Sequence, residues 1–222
     1  MEARSWRRDG ENKDHTANVS LACFIIDKQA KGRKCTHRLG WRISIEYTDY
    51  MYVFWVKTGR EEQALKQIDT AFGNDVVILQ LMVETFFRTQ GKVIKKTKLA
   101  FPGYIFLTSE IENNEFIFRS RECARHSLSI QKSLRYNGTF QAAMREDERA
   151  MIDYLWQGKN CIETSTGFFE GDHVVITDGP FKGRESFIKS IAPRKRQAIV
   201  EIEFMGRLIS TTIGLEIIEK LP

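Results

Sequence analysis

The residues with acid–base or nucleophilic chemistry are few in this 222-residue chain, and they are scattered. Its four histidines, His15, His37, His126 and His173, have no Ser, Cys or Asp placed to form a proton relay. Cys23, Cys35, Cys123 and Cys161 lack any C-x-x-C spacing. Cys35-Thr36-His37 beside Cys23 supplies donor atoms without a metal-site pattern, so four reduced thiols and no metal are expected. No Gly-rich phosphate cradle of either common type is present. Glu61-Glu62 and Glu146-Asp147-Glu148 open helical segments, where the helix dipole favours negative charge, and do not read as a catalytic carboxylate pair. Catalysis is therefore not expected, and no cofactor is called for. The residue types left over suit binding. They are an aromatic turn at Phe101-Pro102-Gly103-Tyr104, a lysine-rich run at Lys92, Lys95, Lys96 and Lys98, and a compact basic tripeptide at Arg194-Lys195-Arg196. Lys182 and Arg184 stand in a neighbouring turn and would extend the last.

The net charge of +5 is unevenly spread. Residues 1–50 hold ten Lys/Arg against seven Asp/Glu, and residues 51–222 hold twenty-four against twenty-two. A nearly neutral body with local basic clusters points to a restricted contact with an acidic partner, not to wholesale coating of DNA. No apolar run approaches the ~18 residues of a membrane span, and the N-terminus lacks a secretory h-region. A cytoplasmic location and no membrane partner are expected.

Residues 1–50 sustain no helix or strand period. Two readings fit them: a disordered basic extension, or an over-extended start with the working protein beginning at Met51. From Tyr52 the pattern sharpens. Tyr52–Lys57 reads as a strand, and Arg60–Phe72 as a helix with Ala64, Leu65, Ile68, Ala71 and Phe72 at helical spacing. Gly73-Asn74 stops it. Val76–Leu79, Leu81–Arg88, Lys92–Leu99 and Tyr104–Leu107 read as strands, Ile111–Arg121 as a helix, Leu128–Leu134 as a strand and Arg145–Trp156 as a helix. The summary order is β-α-β-β-β-α-β and a final helix, an α+β sandwich with a mostly antiparallel sheet, over residues 51–157. Gly158–Glu170 is polar and reads as a linker.

Residues 171–222 change character. Gly171–Gly183 runs turn, alternating strand, turn, and Asp178-Gly179-Pro180 is strong turn chemistry. Further short runs follow at Phe187–Ile191, Ala198–Phe204, Leu208–Ile213 and Leu215–Ile218. Five short strands in roughly 50 residues is the pattern of a small β-barrel.

The tract Gly-Asp-x-Val…Asp-Gly-Pro-Phe-x-Gly, with the Met205-Gly206-Arg207 turn, resembles a KOW domain, an SH3-like barrel. Tyr52-Val53, Gly59, Glu61 and Phe101-Pro102-Gly103-Tyr104 resemble the N-terminal domain of NusG-type transcription factors. The resemblance covers Met51–Pro222 with both modules in the family's order. It implies a monomeric elongation factor that docks on the clamp helices of RNA polymerase. The candidate residues carried over are Tyr52, Phe101, Pro102, Gly103 and Tyr104. Ile188–Ala198 resembles the specialised LoaP-type antiterminators of that family, whose KOW domain binds an RNA hairpin. Their tract has His where this chain has Arg194. This implies leader-RNA binding through Lys182, Arg184, Arg194, Lys195 and Arg196, and operon-specific antitermination. Two alternatives stay open: a general NusG whose KOW domain meets a termination factor or a ribosomal protein, and a KOW-type RNA-binding protein of the translation apparatus.

Overall fold

A computed structural model describes residues 49–156 and 161–218. The basic extension, with the Cys23, Cys35 and His37 donors, lies outside the described residues, as do residues 157–160 and the last four. The elements run β1 (Tyr50–Val56), α1 (Glu61–Phe72), β2 (Val77–Leu79), β3 (Met82–Thr89), β4 (Lys92–Leu99), β5 (Tyr104–Ser109), α2 (Asn113–Arg125), β6 (Ile130–Ser133), α3 (Glu146–Trp156), β7 (Cys161–Ile162), β8 (Ser165–Glu170), β9 (His173–Asp178), β10 (Ile188–Ala192), β11 (Gln197–Phe204) and β12 (Arg207–Ile217). Four strands, not three, separate the first two helices. The class is α+β, as expected. Among the described residues no helix is long and apolar enough to cross a membrane.

The first sheet has the order β2-β5-β1-β6, all antiparallel. Its central strands are apolar on both faces, so each face needs a cover. Tyr52, Phe54 and Val56 of β1, with Ile105 and Leu107 of β5, point one way. They pack under α1 and α2 through Ala64, Ile68, Phe72, Phe116 and Ile117. Met51 and Val53, with Phe106, point the other way into a second core. That core takes Met151, Ile152 and Leu155 from α3 and continues without a break into Val200, Ile202, Phe204 and Ile213 of the last two strands. β1 begins at Tyr50, and the preceding Asp49 carbonyl accepts a hydrogen bond from Arg149.

β3 and β4 form a hairpin, with β7 added in parallel beside β3. The remaining sheet has the order β10-β11-β12-β8-β9. β12 curls it: Arg207–Gly214 pair with β11, and Leu215–Ile217 pair in parallel with β8. This corrects two expectations. The five strands are present, but Leu208–Ile213 and Leu215–Ile218 are not two of them, because β12 runs on through Ile217. The fifth is β8, drawn from the stretch expected to be a linker. The sequence Ser165-Thr-Gly-Phe-Phe-Glu looks polar and Gly-broken, yet Gly167 is required there. A Cβ on it would lie 2.5 Å from the Val175 carbonyl oxygen of the paired strand.

A carboxylate ties the open end of this sheet. Glu185 Oε1 accepts the N–H of Ile176 at 3.0 Å and of Gly183 at 3.3 Å. Partial burial pushes this carboxyl up, but hydrogen bonds from its own N–H and from those of Ile176 and Gly183 outweigh it. The net result lies below the ordinary value of 4.5. A depressed folded-state pKa gives stability that is complete above the unfolded value and is lost as pH falls through the folded one. Glu185→Gln should therefore cost about 0.5–1 kcal/mol at neutral pH, a modest figure because solvent screens the group. Its urea midpoint should also fall less between pH 6 and pH 3 than that of the unchanged chain.

Candidate binding surfaces

The Phe101–Tyr104 turn is built by backbone demands. Gly103 has φ +85°, a region open mainly to glycine, and its would-be Cβ meets Thr58 Oγ1 at 3.0 Å. Its N–H donates to Glu61 Oε1 at 3.0 Å, and its carbonyl accepts Val56 N–H at 2.8 Å. Glu61, at the start of α1, thus holds the turn as well as facing the helix dipole. Pro102 is left exposed, and Tyr104 is half-buried.

The rings that would line a concavity here are packed by the chain's own last sheet. The Phe204 ring at the end of β11 lies 5.4 Å from Phe101, 5.4 Å from Tyr104 and 5.2 Å from Phe106, edge-on to each. Edge-to-face geometry at such distances is favourable beyond the area buried. Phe101 is consequently only 2% exposed. Tyr52 is not part of this concavity. It is fully buried on the opposite face of the sheet, stacked on Phe116 at 3.6 Å, with its hydroxyl donating to the Ile111 carbonyl at 2.6 Å. Burial pushes its phenol well above the usual range, with the neighbouring Tyr50 and Glu112 adding to the effect.

The plug is held by a polar latch. Met205 and Gly206 both have positive φ, the turn that joins twisted strands most readily. The Met205 N–H, in a residue 2% exposed, donates to Glu148 Oε2 at 2.6 Å. The Tyr136 hydroxyl donates to the same oxygen at 2.7 Å and accepts the Arg145 N–H at 2.9 Å. Burial, then the bond to Glu148, pushes the Tyr136 phenol above its usual range. Beside the latch, the Trp55 ring carries two cations, Arg207 at 5.2 Å and Lys132 at 5.7 Å. Thr211 Oγ1 donates to the Ala100 carbonyl at 2.5 Å, a further tie between the two halves.

The basic residues fall into two places. Arg194 and Lys195 lie in the 3-10 turn Pro193–Lys195, exposed, and Arg196 closes it with φ +52°. The Arg196 guanidinium pairs with Glu216 at 3.0 Å and lies 5.7 Å from the Phe86 ring centroid. Lys95 lies 5.6 Å from that same centroid, and Gln197 Nε2 donates to the Phe86 carbonyl at 2.7 Å. The barrel loop and the lysine hairpin therefore meet at one phenylalanine. Lys95 also donates to Thr164 at 3.0 Å and pairs with Glu84 at 3.5 Å. Glu84, Lys95, Lys96 and Thr97 line a cleft of about 330 Å³ on the hairpin. Arg184 goes elsewhere: its guanidinium stacks 3.7 Å from the Tyr154 ring of α3, and Nη1 lies 3.8 Å from Met151 Sδ. Lys182 is exposed in the same turn.

Sequence reasoning missed Phe204, Glu148 and Tyr136. Ala198, Val200, Ile202 and Phe204 alternate as one inward face of β11, and nothing in that alternation marks the last of them as leaving its own sheet. Glu148 reads as first-turn helix charge, which hides its second role.

No protein-family model matches the chain. Among solved structures, one described as domain interaction in Thermotoga maritima NusG is similar, at a TM-score of 0.40 and 20% sequence identity. The match covers 75% of this chain and 93% of that one.

Proposed function

We propose that this chain is a NusG-type transcription factor that binds RNA polymerase and acts without catalysis of its own. In this reading it works as a cytoplasmic monomer. Its Phe101–Tyr104 concavity takes apolar side chains of a polymerase helix pair, and its basic loop takes RNA. The effect on transcription is processive antitermination of particular operons. One observation carries the reading. The Phe101, Tyr104 and Phe106 rings form a pocket for an inserted apolar side chain, which is how helix-in-groove docking works. The motif resemblance at Gly171–Gly183 and Phe101–Tyr104 supplies the identity of the partner. Because Phe204 occupies the pocket, the partner and the barrel turn compete for it, and docking requires the barrel to lift away.

Multi-round transcription with RNA polymerase from the source organism, on a template carrying a terminator, tests the proposal. Added chain should raise readthrough at least several-fold, and Tyr104→Ala should abolish the rise. Unchanged readthrough with polymerase bound would reject antitermination and leave the general pausing or termination role.

A further inference from the structure

We propose that the RNA site is composite: the phosphate backbone of RNA bridges the Arg194–Arg196 loop and the Lys95–Lys96 stretch of β4, and so selects the chain with its barrel docked. This rests on the RNA-binding reading above and adds where the RNA lies and which arrangement it needs.

The argument starts from charge. Arg196 and Lys95 approach one Phe86 ring at 5.7 and 5.6 Å from its centroid. They therefore lie within about a Debye length of each other at 0.1 M salt, where like charges still repel. Each is partly neutralised, Lys95 by Glu84 and Arg196 by Glu216. Arg194, Lys195 and Lys96 are exposed, and among the described residues none of them pairs with a carboxylate. Docking thus brings Arg196 and Lys95, from two separate modules, onto one surface, a cost that a polyanion lying across both would reverse. The Lys95–Lys96 cleft also takes Glu84 of β3, and β4 is the free edge of the hairpin sheet. Lys96, one residue along the strand, turns to the opposite face beside the ring of Phe87, 5.8 Å away and 38% exposed, so RNA that passes round the free edge of β4 meets a second cation and a stacking face there. Arg184 is excluded, because its guanidinium is committed to Tyr154.

Linkage then fixes a consequence. Polymerase docking at the aromatic turn needs the barrel lifted, while composite RNA binding needs it docked. Each ligand must weaken the other by the same factor. RNA would be held by the free chain and handed off as polymerase engages.

The test is fluorescence anisotropy with the full chain, using a labelled RNA stem-loop in one arm and a single strand of the same composition in the other, across a salt series. The Lys95→Ala/Lys96→Ala pair and the Arg194→Ala/Lys195→Ala pair should each reduce affinity tenfold or more. Each should lower the slope of log K against log salt by roughly 1.5–2, the value for two lost phosphate contacts. Gln197→Ala, which removes the bond to the Phe86 carbonyl but no charge, should weaken binding several-fold, as should Phe204→Ala. Gln197→Ala keeps the docking test valid if Phe204→Ala proves poorly folded. Whichever arm shows these losses names the RNA form. If the lysine pair binds as the unchanged chain does while the loop pair does not, the site is confined to the barrel. The composite site then falls and the RNA reading stands. If the unchanged chain binds neither probe, both fall.

Discussion

Phe204→Ala should destabilise the closed arrangement by about 3–5 kcal/mol, the range for emptying a buried aromatic site. The ring contacts Phe101, Tyr104 and Phe106, three residues of the other module, so the cavity opens at the junction of the two halves. Interior packing tolerates such a void poorly, and the neighbouring rings cannot close it without moving the sheet that carries them. Val200, Ile202, Ile213 and Leu215, buried in the same continuous core, remain to hold the last sheet. The expected result is loss of docking ahead of loss of fold. Hydrogen exchange should report it: the Met205 amide, protected by Glu148 in the closed chain, should exchange far faster, while amides of the β11–β12 ladder stay slow. Trp55 emission should shift as Arg207 leaves its ring.

Glu148→Ala should cost about 2–4 kcal/mol, because it strands two donors at once. The Met205 N–H and the Tyr136 hydroxyl share Glu148 Oε2, and both residues are almost wholly buried. A buried donor left without a partner costs about 1–3 kcal/mol. Glu148→Gln should cost clearly less, since its amide oxygen can still accept. Tyr136→Phe should fall between, for it removes one donor to Glu148 and the acceptor of the Arg145 N–H. Chemical denaturation midpoints of the three variants, in the order Ala below Phe below Gln, check the latch. Equal midpoints would reduce Glu148 to helix-end charge.

Much of this architecture is legible in the chain because local rules act alone there. The helix of Ala64, Ile68 and Phe72, the turn at Gly103 and the alternation through β11 each follow from spacing and backbone preference. The meeting of the modules is not legible in the same way. β1 alternates Met51-Tyr52-Val53-Phe54, apolar on both faces, so periodicity shows that both sides are covered but not by what. Tyr52 illustrates the cost. Its place beside an opening-strand motif suggests a surface role, yet the register that opposes it to Leu107 turns it under α1 and α2. β8 was hidden by Gly167, whose missing side chain is a condition of pairing with β9 opposite Ile176 and looks, in sequence, like a break. The basic groups divide on the same ground. Arg196 and Arg184 look alike in the chain, and tertiary contacts send one to Phe86 and the other to Tyr154.

The most direct test of the central claim is equilibrium binding of the full chain to RNA polymerase, measured for the unchanged protein, for Phe204→Ala and for Phe204→Ala with Tyr104→Ala. If the aromatic turn is the polymerase site and Phe204 its internal competitor, Phe204→Ala binds at least tenfold more tightly than the unchanged chain, and adding Tyr104→Ala removes that gain and more. Equal binding by all three proteins, or no binding by any, contradicts the account.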